Sequence, residues 1–82
     1  MQQLTAAERK KLEDRYSEGY QFIARDKDGV LFSYGVKPRR GFDNFIPRSF
    51  THLRIRGSED FLSFIKWEDE PYEIEELLKG DI

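Results

Sequence analysis

The sequence predicts a small single-domain α+β fold, an antiparallel sheet of three to four strands with an N-terminal and a C-terminal helix (α-β-β-(β)-β-α). Three observations lead there. Its 82 residues allow one domain, because two would each be too short to bury a core. Apolar spacing is helical near both ends and alternates with period two between them. Twelve aromatic side chains (7 Phe, 4 Tyr and 1 Trp) offset a hydrophobic share of only 38%, since each can bury on the order of 150–250 Å².

Thr5-Ala6-Ala7-Glu8 fits a capping box, in which the Thr5 hydroxyl accepts from the Glu8 amide and the Glu8 carboxylate reaches back. A helix follows to about Glu18 and is stopped by Gly19, a natural left-handed residue. Its apolar residues, Ala7, Leu12 and Tyr16, make one narrow docking stripe. Tyr20, Phe22 and Ala24 then alternate with Gln21, Ile23 and Arg25, and the alternation resumes over Val30-Leu31-Phe32-Ser33-Tyr34. Between them, Asp26-Lys27-Asp28-Gly29 suits a type I turn with a glycine bulge joining two antiparallel strands.

Lys37-Pro38-Arg39-Arg40-Gly41 reads as a loop. Beyond it, Phe42, Phe45, Ile46, Phe50, Leu53 and Ile55 are irregularly spaced, and Pro47 is excluded from a central strand. Short strands are expected at 45–46 and 51–56. Ser58-Glu59-Asp60 offers a helix cap, yet residues 61–67 place Phe61, Ser63, Ile65 and Trp67 on alternate positions and predict a strand. Glu70-Pro71 opens the second helix with proline at its first position. Ile74, Leu77 and Leu78 then fall at i, i+3 and i+4, and Gly80 ends it.

Several kinds of chemistry are excluded or disfavoured. Without cysteine there is no disulfide, thiolate metal site or cysteine nucleophile. A single His52 removes His-pair metal sites and argues against a histidine-based triad. Asp26-x-Asp28-Gly29 resembles the opening of a calcium loop, but Val30 and Leu31 follow where oxygen ligands are needed, so it reads as a hairpin turn. The acids near Lys66 lie on one short stretch that splays them apart, which disfavours a metal-dependent nuclease. His52 with Arg54 is weak ground for acid–base catalysis, and no phosphate loop, dinucleotide fingerprint or nucleophile elbow occurs. The expectation is a non-catalytic protein without metal or cofactor. The N-terminal residues lack an apolar core, and the longest apolar runs are three residues, such as Val30-Leu31-Phe32. A cytoplasmic protein with no membrane contact is expected.

Charge carries the functional signal. Residues 1–36 balance six acids against six bases. Residues 37–57 set Lys37, Arg39, Arg40, Arg48, Arg54 and Arg56 against Asp43 alone, net +5. Residues 58–82 set nine acids against Lys66 and Lys79, net −7. Such asymmetry points to binding partners. In the acidic block, Glu68, Asp69, Glu70, Glu73, Glu75 and Glu76 can form a face that docks a basic protein surface. The first three also suit the entrance of the second helix, where carboxylates meet the positive end of its dipole. In the basic block, arginines interleave with Phe42, Phe45, Phe50 and His52, a pattern for pairing phosphates while a ring stacks a base. The competing reading assigns these rings to the core and leaves the arginines solvated or neutralised by the acidic tail; the thin core favours it. A homodimer that pairs the two blocks is a further possibility.

Gly19-Tyr20-Gln21-Phe22-Ile23-Ala24-Arg25-Asp26-Lys27-Asp28-Gly29, Leu31, Tyr34 and Lys37-Pro38, with Phe64-Ile65-Lys66-Trp67-Glu68-Asp69-Glu70-Pro71-Tyr72 and Ile74, resemble small accessory proteins of phages and prophages of Gram-positive bacteria. The resemblance spans about half the chain and leaves out residues 42–56. It implies a small cytoplasmic protein of an infected or lysogenic cell, and transfers no activity. Many such genes encode inhibitors of host machinery. By that association, the expected role is protein binding through the acidic face, inhibiting a host nucleic-acid enzyme or a defence nuclease in the manner of an anti-CRISPR protein. Nucleic-acid binding by the basic segment is the alternative.

Overall fold

The hairpin of β1 (Phe22–Arg25) and β2 (Leu31–Tyr34) forms the centre of a four-stranded antiparallel sheet in the computed structural model, which describes residues 4–56 and 60–80. Its turn forms as expected: the Gly29 amide donates to the Asp26 carbonyl at 2.9 Å, and Gly29 takes φ +95°, open to glycine at little cost. Two short strands, β3 (Arg39–Arg40) and β4 (Phe45–Ile46), make a separate ribbon. β5 (His52–Ile55) and β6 (Tyr72–Glu73) flank the central hairpin, giving the order β5-β2-β1-β6.

Helix α1 (Ala6–Ser17) precedes the sheet and α2 (Ile74–Lys79) ends it. The Thr5–Glu8 capping box is present, with both reciprocal bonds formed. At the other end the Tyr20 amide reaches the Arg15 carbonyl and the Gly19 amide reaches Tyr16, a Schellman stop with Gly19 at φ +101°. The docking stripe differs from expectation. Ala7 and Tyr16 are exposed, and the buried pair one turn apart is Glu8 and Leu12.

Register divides the sheet into two faces. Ile23, Leu31 and Ile55 project to one side, where they join Leu12 of α1, Ile74 and Leu77 of α2, and Leu62 and Ile65 in the main core. Both helices thus cover one face. Phe22, Ala24, Phe32, Tyr34, His52 and Arg54 project to the other, where Phe45 and Trp67 form a smaller cluster with Ala24 and Tyr34.

Beside Arg39–Arg40, read as part of a loop yet paired with β4 as a strand, two longer segments depart from the sequence reading. Residues 61–67 form turns and no strand. Leu62 and Ile65, three apart, are the buried pair, so the alternation of Phe61, Ser63, Ile65 and Trp67 does not describe the burial. What a neighbouring strand would supply comes instead from Arg25, whose guanidinium donates to the carbonyls of Phe61, Leu62 and Ile65 at 2.8, 3.1 and 2.7 Å. The Leu62 amide donates to the Glu8 carboxylate at 2.6 Å, and these anchors hold Leu62 at φ +52°, a costly conformation for a side chain of this size. Ser58 and Glu59 of the suggested cap lie outside the described residues.

The second departure is at 70–73. Pro71 does not open a helix; Tyr72–Glu73 pairs with β1 as an edge strand, and α2 starts three residues later at Ile74. The Ile74 amide, donating to the Gln21 carbonyl at 2.8 Å, continues the sheet ladder into the helix start. Proline has no amide to give a ladder, so it stands just before the strand.

Candidate functional site

Because β5 and β6 are opposite edges of the sheet, Arg54 on one and Glu73 on the other lie far apart, whereas Arg40 of the basic block reaches the carbonyls of Trp67 and Asp69 in the acidic one. Three strand spacings separate those edges, about 14 Å, beyond the roughly 8 Å over which exposed charges interact at physiological salt. The four ion pairs among the described residues are Lys10–Asp14, Arg15–Glu18, Lys27–Asp43 and Lys79–Glu75, and none links the blocks. Among the described residues, therefore, no ion pair joins the acidic tail to the arginines.

On the acidic side the six candidates divide by role. Asp69 is a structural residue: its carboxylate accepts from the Lys66 amide at 3.1 Å and the Tyr72 hydroxyl at 2.8 Å. Burial, followed by that hydrogen bond and charge, pushes the Tyr72 phenol up to about 12. Glu75 pairs with Lys79 and accepts from Tyr16 at 3.4 Å. The side chains of Glu68, Glu70, Glu73 and Glu76 form no hydrogen bond or ion pair with any described residue. Glu68, Asp69 and Glu70 do not sit at a helix entrance, because α2 begins later; Glu75 and Glu76 occupy its first turn instead.

On the basic side, Arg40 is also structural. It donates to the Trp67 and Asp69 carbonyls at 2.8 and 2.7 Å and stacks over Phe45 and Trp67, 4.8 and 4.5 Å from their centroids. Lys37, Arg39, Arg48, Arg54 and Arg56 are exposed, and their side chains have no polar partner among the described residues. The aromatic residues among them divide too. Phe45 is buried in the smaller cluster, edge-on to Trp67, whereas Phe42 and Phe50 are 94% and 102% exposed. The core thus takes one of the three phenylalanines that a thin core was expected to claim. Ribbon geometry decides it: β4 turns Phe45 toward the sheet, Phe42 sits at the β3–β4 tip, and Phe50 lies in the β4–β5 loop.

Between the ribbon and β5 an open groove runs along the second face of the sheet. Phe32, Tyr34 and His52 form its aromatic wall, with ring centroids 6.2 Å apart for Phe32–Tyr34 and 6.4 Å for both pairs with His52. Asn44, Phe45 and Pro47 line the opposite side. One end broadens to about 610 Å³ beside Asp28, Asp43 and Arg54; the other meets Arg48 and Phe50. Asp26 is buried beneath the groove, one carboxylate oxygen accepting from the Phe45 amide at 2.9 Å. Burial holds the Asp26 carboxyl above its usual range against that hydrogen bond, and burial with the Asp26 charge pushes the Tyr34 phenol up. Asp26, Tyr34 and Asn44 drew no functional expectation from sequence, where Asp26 reads as a turn residue.

Among the described residues no three acidic or histidine side chains converge on a metal position, and no helix is long and apolar enough to cross a membrane. The architecture defines a small α+β domain with a four-stranded antiparallel sheet and a groove on its open face. No family model matches the chain, and comparisons with curated proteins and with solved structures return no match.

Proposed function

We propose that this protein is a non-catalytic binding module that holds single-stranded nucleic acid along its β5 side, with Phe42 and Phe50 as stacking rings and Lys37, Arg39, Arg48, Arg54 and Arg56 as phosphate contacts. One observation carries the reading: a small domain leaves two phenylalanines almost wholly in water, within a segment of net charge +5 whose Lys37, Arg39, Arg48, Arg54 and Arg56 side chains have no polar partner among the described residues. Such rings are stacking platforms for bases of any identity, and unpaired arginines draw phosphates. Fluorescence anisotropy with labelled single strands tests it. Binding should appear at low salt and weaken as salt rises, and the log–log slope should fall by about 0.7 for each arginine removed. Phe50→Ala should cost about 1–3 kcal/mol of affinity. Absence of binding at low salt refutes the proposal.

A second reading draws on the opposite edge, where Glu68, Glu70, Glu73 and Glu76 lack partners among the described residues. There the protein docks a basic surface of a host protein, and the phage-protein resemblance makes that partner a nucleic-acid or defence enzyme that it inhibits. Reversing Glu73, Glu75 and Glu76 to lysine should then abolish partner capture; undiminished capture rejects this reading.

A further inference from the structure

We propose that the groove on the open face of the sheet takes an arginine side chain of a partner protein, seating its guanidinium among the Asp26 carboxylate, the Tyr34 hydroxyl and the rings of Phe32 and His52. The site is separate from the strand surface proposed above, and neither depends on the other.

Tyr34 is the first indication. The residue is 2% exposed, yet its hydroxyl bonds to no described residue. It is also not sealed in, because the only enclosed side-chain polar atom without a partner among the described residues is Arg15 Nε. The hydroxyl therefore meets solvent through the groove that Tyr34 lines. A buried hydroxyl with an unmade hydrogen bond is a poor arrangement unless something entering the groove completes it.

Asp26 is the second. It is 7% exposed, one carboxylate oxygen accepts from the Phe45 amide at 2.9 Å, and the other has no partner among the described residues and is likewise not enclosed. A buried carboxylate with one hydrogen bond is short of compensation, and an entering cation supplies it. A bare metal ion is a poorer guest, since among the described residues no three acidic or histidine side chains converge to hold one.

A guanidinium fits the rest of the lining. It is flat, stacks on aromatic faces and carries five N–H donors in a fixed fork. Phe32, Tyr34 and His52 offer the faces, with Tyr34 and His52 only 24° from parallel. The same face of the sheet already holds one guanidinium in this manner: Arg40 lies 4.8 and 4.5 Å over Phe45 and Trp67 while donating to two carbonyls. The narrower part of the groove holds about 250 Å³ and opens into the broader end, room for one side chain reaching in from solvent.

Charge at the broad end favours the same guest. Asp26, Asp28 and Asp43 set three carboxylates against two cations there, and one of those, Lys27, pairs with Asp43 at 3.6 Å. The other, Arg54, is exposed and its side chain bonds to none of them, so it leaves the site open and stays available to phosphate.

Amide chemical shifts of the ¹⁵N-labelled protein, titrated with arginine blocked at both ends, test this. Shifts should gather at Asp26, Phe32, Tyr34 and Phe45. Blocked lysine should bind about fivefold more weakly, and blocked citrulline, which keeps the shape without the charge, about tenfold more weakly. Asp26→Asn keeps an oxygen for the Phe45 amide, and Tyr34→Phe removes a hydroxyl that holds nothing, so circular dichroism should report unchanged folds. The first should weaken arginine binding about tenfold and the second about threefold. Equal binding of arginine and citrulline by the unaltered protein overturns the proposal, whatever the variants do. So does the absence of shifts at those amides, or affinity that survives both substitutions. Tighter binding of free arginine than of the blocked form would give the groove to the amino acid, and self-association abolished by Asp26→Asn would give it to a second copy; either overturns the separate partner. Oligonucleotide titrations read the other site, so failure of strand binding leaves this inference standing, and failure of arginine binding leaves strand binding standing.

Discussion

The two faces of the sheet are built from the same four strands and finished differently. On the helical face, Ile23, Leu31 and Ile55 meet Leu12, Leu62, Ile65, Ile74 and Leu77, all nearly inaccessible. On the open face a two-stranded ribbon supplies Phe45, a turn supplies Trp67, and Arg40 clamps the pair from above. That partial cover leaves Phe32, His52 and Arg54 facing a groove. In a chain this short, one well-sealed face supplies much of the stability and frees the other for polar groups that a closed core could not tolerate.

The sharpest way to break this comparison is to open the sealed face. Leu12→Ala removes a fully buried side chain between α1 and the sheet and should cost about 2–5 kcal/mol in urea denaturation. A loss below about 1 kcal/mol would mean that the helical face is not where stability resides.

A smaller effect should come from beneath the groove. Because burial raises the Asp26 carboxyl in the fold, the native state holds this proton more tightly than the unfolded chain. Its contribution is therefore greatest at acid pH and declines as pH rises through the ordinary carboxyl value of 3.8 and on through the raised native value. Asp26→Asn should remove that decline and leave the protein at least as stable at pH 7, measured by denaturation at several pH values. A variant that keeps the parent's full pH profile would show that Asp26 does not titrate in this way.

The smallest effect is expected at the exposed rings. Phe42→Ser and Phe50→Ser should change stability by no more than about 0.5 kcal/mol, although each should weaken strand binding. Thermal unfolding that drops markedly in either variant would return these rings to the core.

Local signals were read well where a motif closes on its neighbours. The Thr5–Glu8 box, the Gly19 stop, the Asp26–Gly29 turn and the Gly80 terminus all depend on residues within five positions of one another. The sequence also placed strands at 45–46 and within 51–56. Residues 61–67 misled because their alternation is that of a strand while their carbonyls are captured by Arg25, 36 to 40 positions away. Tyr72–Glu73 misled because a free edge of β1 outcompetes one more helical turn. Of the candidate site, the identities of the charged residues were legible; the structural duties of Arg40, Asp69 and Glu75 were not, since each depends on a partner's position.

The sequence by itself determined the class of fold, the capped and punctuated ends of α1, the central hairpin, and the +5 and −7 blocks of charge. Those follow from period, turn chemistry and counting, which need no knowledge of distant contacts. Tertiary structure alone decided that Arg54 and Glu73 stand on opposite sheet edges, that Phe45 is buried while Phe42 and Phe50 are not, and that Asp26 and Tyr34 share a groove. Strand order and ribbon placement set these, and both are settled by long-range pairing rather than by any residue's own preference.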